Sequence, residues 1–205
     1  MEKVNSTIKI HTRIVSFLVI WVAIIFFTKS YSATNLWPII KQVPLAISIY
    51  VVVATIFIKW IWRWKIFQGW IIKIPDLQGT WKGYLQSDWI NPETQKGIDP
   101  IPMVLVIKQT LITIKCTLMT KESSSYSTTA DFNLAYGGED IYLTYNYTNR
   151  PKATIRDRSA IHDGAAILKV IRKPNLILEG EYWTSRKTRG EINLHFDSKE
   201  LVEKF

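Results

Sequence analysis

Cysteine is nearly absent from this 205-residue chain: Cys116 is the single one. That excludes an internal disulfide framework or a multi-cysteine metal site and is compatible with a reducing compartment. Motifs that carry catalysis are missing too. H-E-x-x-H, a phosphate-binding P-loop, G-x-S-x-G and Cys/His ligand spacing do not occur. Of the three histidines, His11 flanks an apolar run and His195 alternates outward between Leu194 and Phe196. That leaves His162, and a solitary inward histidine is the ordinary mark of a structural residue rather than a general base. The expectation is a binding protein with no catalytic residues, no metal and no other cofactor. Acids are scarce in one region alone. Residues 1–75 hold nine Lys or Arg against Glu2, a net +8, so the rest of the chain supplies +1 of the total +9. Docking on DNA or RNA needs clustered cations on the docking domain, and here the polar domain is nearly neutral, so neither is expected as a partner.

The basic third contains two long apolar runs. Residues 10–28 and 44–62 each span 19 positions; the first has Arg13 near its start, the second Lys59 near its end. At about 1.5 Å per residue each matches a hydrocarbon core of roughly 30 Å, with Arg13 reaching back to the headgroups. Pro44 suits a first helical turn. Val51, Val52, Val53, Thr55 and Ile56 favour strand in water, yet in lipid an isolated segment satisfies its backbone only as a helix. Lys3, Lys9 and Arg13 precede the first run, and Lys59, Arg63, Lys65 and Lys73 accompany or follow the second. Lys29 and Lys41 alone lie between, so the positive-inside rule puts both termini in the cytoplasm. Trp60, Trp62, Trp64 and Trp70 fit an interfacial belt in contact with lipid. The competing reading makes residues 1 to about 33 a signal peptide, with small residues at Ser30, Ser32 and Ala33; even then the second run keeps the C-terminal domain inside.

From Pro75 and Asp76 onward the hydropathy changes period, which separates a hairpin and linker at 1–75 from a domain at 76–205. Eight short alternating segments divided by turn residues predict a membrane-anchored all-β protein, its domain a small eight-stranded up-and-down antiparallel barrel. Period-two alternation turns Trp81, Gly83 and Leu85 inward, with Ile112, Ile114, Cys116 and Leu118, then Ala130, Phe132 and Leu134. On the last three strands His162, Gly164, Ala166, Leu168 and Val170 point in, as do Leu178, Gly180, Tyr182, Thr184 and Arg186, then Thr188, Gly190, Ile192, Leu194 and Phe196. The interior is therefore graded, aliphatic at one end and polar and aromatic at the other. Tyr145, Tyr147, Asn149, His162, Tyr182, Thr184, Arg186 and Thr188 are the candidate ligand-binding residues. Arginine offers phosphate a planar fork, and tyrosine offers a base a stacking face. Gly83, Gly164, Gly180 and Gly190, all inward, suggest a cavity. Arg156, Arg158 and Arg189 read instead as rim residues paired with acids.

The order of two apolar runs, a Trp-rich linker and PDLQGTWKGYLQSDW, then YNYTNRP, HDGAAILKV and LEGEYWTSRKTRGEINLHF, resembles one family over nearly the whole chain. These are the two-transmembrane β-strand-rich effectors of bacterial cyclic-oligonucleotide-based anti-phage signalling (CBASS). The resemblance implies a barrel that binds a cyclic dinucleotide made by a partner nucleotidyltransferase after phage infection. Binding would drive self-association of the membrane hairpin, inner-membrane disruption and death of the infected cell. A membrane-tethered lipocalin-like carrier or sensor of a small apolar ligand is the alternative, though it would need a hydrophobic mouth where this chain has Arg, Tyr and Thr.

Overall fold

The computed structural model describes residues 18, 20–25, 37–69, 71–135, 140–172 and 174–205. Contacts divide the chain into two compact units, Met1–Trp62 and Arg63–Phe205.

In the first unit residues 20–25 are helical, followed by a short helix α1 (Trp37–Ile40) and a longer one, α2 (Val43–Lys59). Proline stands in the first turn of α2, and its hydroxyls bond back along the helix, Ser48 Oγ to the Pro44 carbonyl at 2.9 Å and Thr55 Oγ1 to the Val51 carbonyl at 2.7 Å. Ser48 and Thr55 therefore add no unmet donors to its surface. That surface is apolar all round: Leu45, Ile47, Val51, Val52, Val53 and Ile56 are exposed, while Ala46 is buried. The β-branched run is helical, as expected. At 17 residues α2 is about 26 Å long, and among the described residues no helix is long and apolar enough to cross a membrane. The expected span at 44–62 is α-helical only to Lys59; the one at 10–28 lies mostly outside the described residues, as does Trp70.

The second unit holds β1 (Gly79–Ser87), β2 (Ile101–Gln109), β3 (Ile114–Thr120), β4 (Ser123–Ala135), β5 (Asp140–Pro151), β6 (His162–Ile171), β7 (Ile177–Thr184) and β8 (Arg189–Ser198). Each strand pairs antiparallel with the next, and β8 returns to pair with β1. This is the predicted eight-stranded up-and-down barrel. One boundary moves: β3 begins at Ile114, and Ile112, expected inside, is exposed in a turn closed by Thr110 N to the Thr113 carbonyl at 2.8 Å.

Alternation fills the barrel. Trp81, Leu105, Ile107, Leu143, Leu168, Leu178 and Leu194 have no exposed surface, and Trp81 packs edge-on to Phe196 with centroids 5.4 Å apart. The Trp81 indole N–H donates to the Leu77 carbonyl at 2.9 Å, which meets the need of a buried indole. The segment before β1 closes this aliphatic end. Buried Gln109 accepts from Leu77 N at 2.7 Å and donates to the Pro75 carbonyl at 2.9 Å, while Arg63 bonds the Gln78 side chain at 2.7 Å and the Gln109 carbonyl.

The four inward glycines do not line a cavity, which corrects that expectation. A Cβ at Gly83 would lie 1.9 Å from the Asn193 carbonyl oxygen, and one at Gly180 2.0 Å from that of Ile167. At Gly164 and Gly190 the space is shared with aromatic rings, Tyr147 and Tyr182, whose nearest atoms would stand 2.5 and 2.8 Å away. Glycine here lets strands coil closely and lets rings lie over bare backbone.

Gly83→Ala is expected to lower stability by about 3 kcal/mol or more, because the clash is with backbone rather than a movable side chain. Lys82→Ala removes an exposed ion pair to Asp197 and should stay within about 0.5 kcal/mol. Urea unfolding of the purified full chain measures both; equal midpoints would refute the close-approach account.

Candidate functional site

Four connections lie at one end of the barrel: 88–100 between β1 and β2, 121–122 between β3 and β4, 152–161 between β5 and β6, and 185–188 between β7 and β8. Strand phase carries the polar part of the interior to that same end. Register places Asn149 opposite both Ser125 and His162, Gly164 opposite both Tyr147 and Thr184, and Tyr182 opposite Gly190. Seven of the eight candidates, Tyr145, Tyr147, Asn149, His162, Tyr182, Thr184 and Thr188, are thus gathered at the mouth or just beneath it, buried or half-buried.

Their polar atoms are mostly engaged. Ser125 Oγ donates to Asn149 Oδ1 at 3.0 Å within the barrel. Thr184 and Thr188 share a hydroxyl contact of 2.7 Å. His162 Nδ1 lies 2.9 Å from the Ala160 carbonyl; a carbonyl only accepts, so Nδ1 carries the proton and Nε2 of the neutral ring is an acceptor. Tyr145 and Tyr147 meet at 5.9 Å with planes tilted by 47°. One group stands apart: the buried Tyr145 hydroxyl has no hydrogen-bond partner.

Arg186 does not point inward, contrary to its strand phase. β7 ends at Thr184, where Lys187 N bonds the Thr184 carbonyl at 3.0 Å, and Lys187 takes φ +62°. Beyond that turn alternation has no meaning. Arg186 is exposed on the rim and donates to Ser159 Oγ at 2.7 Å. Two of the other arginines are rim residues paired with acids, as expected, Arg158 with Glu122 at 2.6 Å and Arg189 with Asp88 at 2.7 Å; Arg156 is exposed on the rim but its Nε donates to the Pro151 carbonyl at 3.3 Å rather than to an acid. Together with Ser185 N to the Asp163 carbonyl at 2.8 Å, these contacts link the mouth connections around the ring.

Ser125 was missed, and a bulge explains why. The β4 register shifts between Ser127 and Thr129, so inward positions are odd before Thr128 and even after it. Counting back from Ala130 and Phe132 turns Tyr126 inward, whereas Tyr126 is exposed and Ser125 buried. A separate cleft of about 380 Å³ lies on the outer face of β4 to β7, among Thr129, Asp131, Thr144, Asn146, Ile167 and Trp183.

Burial sets the electrostatics. It pushes Tyr145, Tyr147 and Tyr182 above the ordinary phenol value of 10.0, with Cys116 and Tyr147 adding to the effect at Tyr145. Burial also raises the Cys116 thiol from 9.0 to about 12. These groups stay neutral, so they serve hydrogen bonding and stacking. On the rim Asp88 is held low, first by the hydrogen bond from the Arg189 side chain.

Fold and site together define a small closed barrel, aliphatic at one end and lined at the other by buried tyrosine rings, hydroxyls and an amide. Residues 72–195 match the family described as Cap15, cyclic dinucleotide receptor domain, and the chain belongs to that family. It is 28% identical over 196 residues to CD-NTase-associated protein 15 of Staphylococcus schleiferi, spanning 94% of this chain and 97% of that one. Against the protein of the same name from Escherichia albertii it is 27% identical over 176 residues, 80% of this chain and 83% of the relative.

An alkaline limit follows from the buried groups. Cys116 and the three tyrosines keep their protons when folded, whereas the unfolded chain releases them near 9.0 and 10.0. The unfolded state then binds fewer protons, so stability should fall as pH rises above about 9, by up to ~1.4 kcal/mol per pH unit for each group titrating. Urea midpoints at a series of pH values test this, and Cys116→Val should flatten the first part of the fall. A midpoint constant through pH ~10.5 would contradict the buried, neutral assignment.

Proposed function

We propose that this chain is a membrane-anchored effector of CBASS anti-phage defence, with both termini cytoplasmic at the bacterial inner membrane. The polar end of the barrel takes a cyclic dinucleotide, made by a partner nucleotidyltransferase on infection. Occupancy drives self-association, the N-terminal helices gather, and the membrane is disrupted, killing the infected cell. The reaction belongs to the synthase; the barrel binds.

The observation that carries this reading is the graded interior, in a chain of the cyclic dinucleotide receptor family. Two buried rings, Tyr147 and Tyr182, lie beside Asn149, Thr184, Thr188 and His162. This supplies stacking faces and amide, hydroxyl and imidazole partners for base edges, and Arg158, Arg186 and Arg189 on the rim suit the phosphates. The filled aliphatic end speaks against a carrier of apolar ligands, which would need that space. For the membrane part, support comes from the largely exposed, apolar surface of α2, with Leu45, Ile47, Val51, Val52, Val53 and Ile56 in the open, and from the exposed Trp60 and Trp64 beside Lys59 and Lys65.

Calorimetry of the full chain in detergent against a panel of cyclic dinucleotides should find one that binds saturably. Tyr147→Leu and Tyr182→Leu keep an apolar side chain and remove the ring face. Each should weaken that ligand by a factor of ~5–150, the ~1–3 kcal/mol of one base stack. Release of dye from vesicles carrying the chain should depend on the same nucleotide. If no cyclic dinucleotide binds, the receptor reading fails; if one binds without releasing dye, the membrane step fails.

A further inference from the structure

β2 is apolar on both faces. Met103, Leu105 and Ile107 point into the barrel, while Val104 and Val106 join Met119 of β3 in a second cluster on the outside. All three outer side chains are less than a tenth exposed, which on a barrel exterior requires a cover. The segment after β8 provides it: Leu201 and Val202 pack on the cluster. Residues 199–205 form neither strand nor helix, so no ladder of backbone bonds ties the segment to the barrel. Thr80, fully buried beneath it, donates from Oγ1 to the Glu200 carbonyl at 2.5 Å and accepts from Val202 N at 3.3 Å. Lys199 Nζ reaches Asp76 Oδ2 at 2.8 Å and the Gln78 carbonyl at 3.1 Å.

We propose that this segment is an exchangeable strap, and that the outer face of β2 and β3 is an association surface seating Leu201 and Val202 of a second copy of this chain. The fit of the occupant is already visible, because the chain's own strap sits there and a neighbour carries the identical sequence. Exchange turns an internal contact into one between copies without requiring a new interface. A lifted strap would leave Val104, Val106 and Met119 bare, and such a patch is refilled by its own segment or by an equal one. The closed barrel offers no free edge for strand addition. The Lys199 link resists little, since its ammonium is exposed and such pairs contribute weakly. The inference deepens the self-association step of the function proposed above, in which copies tethered to one membrane meet at high effective concentration.

The test uses the full chain with a benzophenone side chain placed at Leu201. Isotopically light and heavy chains are mixed equally in lipid vesicles, incubated and irradiated, and cross-linked peptides containing Val104, Val106 or Met119 are sorted by mass. Exchange predicts light-to-heavy cross-links, up to half of the total, formed several-fold faster with Lys199→Glu, which repels Asp76. Cross-links confined to chains of one isotope, or directed to another face, overturn the proposal. If the probe at Leu201 disturbs the fold, judged by circular dichroism, the same probe at Val202 decides it by the same criterion. The measurement is made without nucleotide, where it reads the strap's basal exchange apart from any acceleration by ligand, so this result and that of the calorimetry stand or fall separately.

Discussion

The domain rests on one seam, where β8 returns to β1. Three glycines let the two backbones close: Gly79, at φ +141°, would place a Cβ 2.3 Å from the Ser198 carbonyl oxygen, Gly83 one 1.9 Å from that of Asn193, and Gly190 one 2.0 Å from that of Gln86. Closure removes both sheet edges at once, and it divides every strand into an inner and an outer row. Without it Trp81, Leu105 and Leu194 would share no interior, and the tyrosines of β5 and β7 would not meet at one end. The partners are distant in sequence, Thr80 against Ser198, so the ladder that makes the fold possible carries the largest loop-closure cost.

Much of this was legible because a barrel is written in period two. Eight segments, their order and the inward rows follow from alternation and turn residues, and so does the gradient that places Tyr145, Tyr147, Asn149 and Tyr182 beyond the aliphatic rows. Alternation fails where the chain stops being a strand or gains a residue. Arg186 kept the parity of Tyr182 on paper but sits past the turn at Thr184, and the bulge at Thr128 hid Ser125 by reversing parity within β4. The glycines were legible as inward positions, yet their purpose depends on distances between strands, which no periodicity carries. β2 posed a different problem. A strand apolar on both faces announces a cover, but residues 199–205 have no period by which to recognise it.

The mouth combines strong and weak fastening. Inside, Ser125 and Asn149 bond each other away from water, where breaking the pair would strand two polar groups. On the rim the links are exposed ion pairs: Arg158 is 66% and Arg189 80% exposed. Such pairs contribute at most about 1 kcal/mol and are screened by salt. A guanidinium held that loosely can trade a carboxylate for a phosphate at little cost, because one anion replaces another at the same group. The near-zero net charge of the domain is therefore compatible with anion recognition, provided recognition rests on a few such forks rather than on a field.

A filled interior constrains how any ligand enters. Tyr147 and Tyr182 occupy the space over Gly164 and Gly190, so any base stacking at this end would have to displace those rings. The Tyr145 hydroxyl points the same way. Buried and unpartnered, it leaves a donor unmet at a cost of roughly 1–3 kcal/mol, which a phenylalanine of the same shape would avoid. That cost is recovered in any arrangement where the hydroxyl meets an acceptor. An arrangement that met the hydroxyl would to that extent offset the cost of displacing the rings.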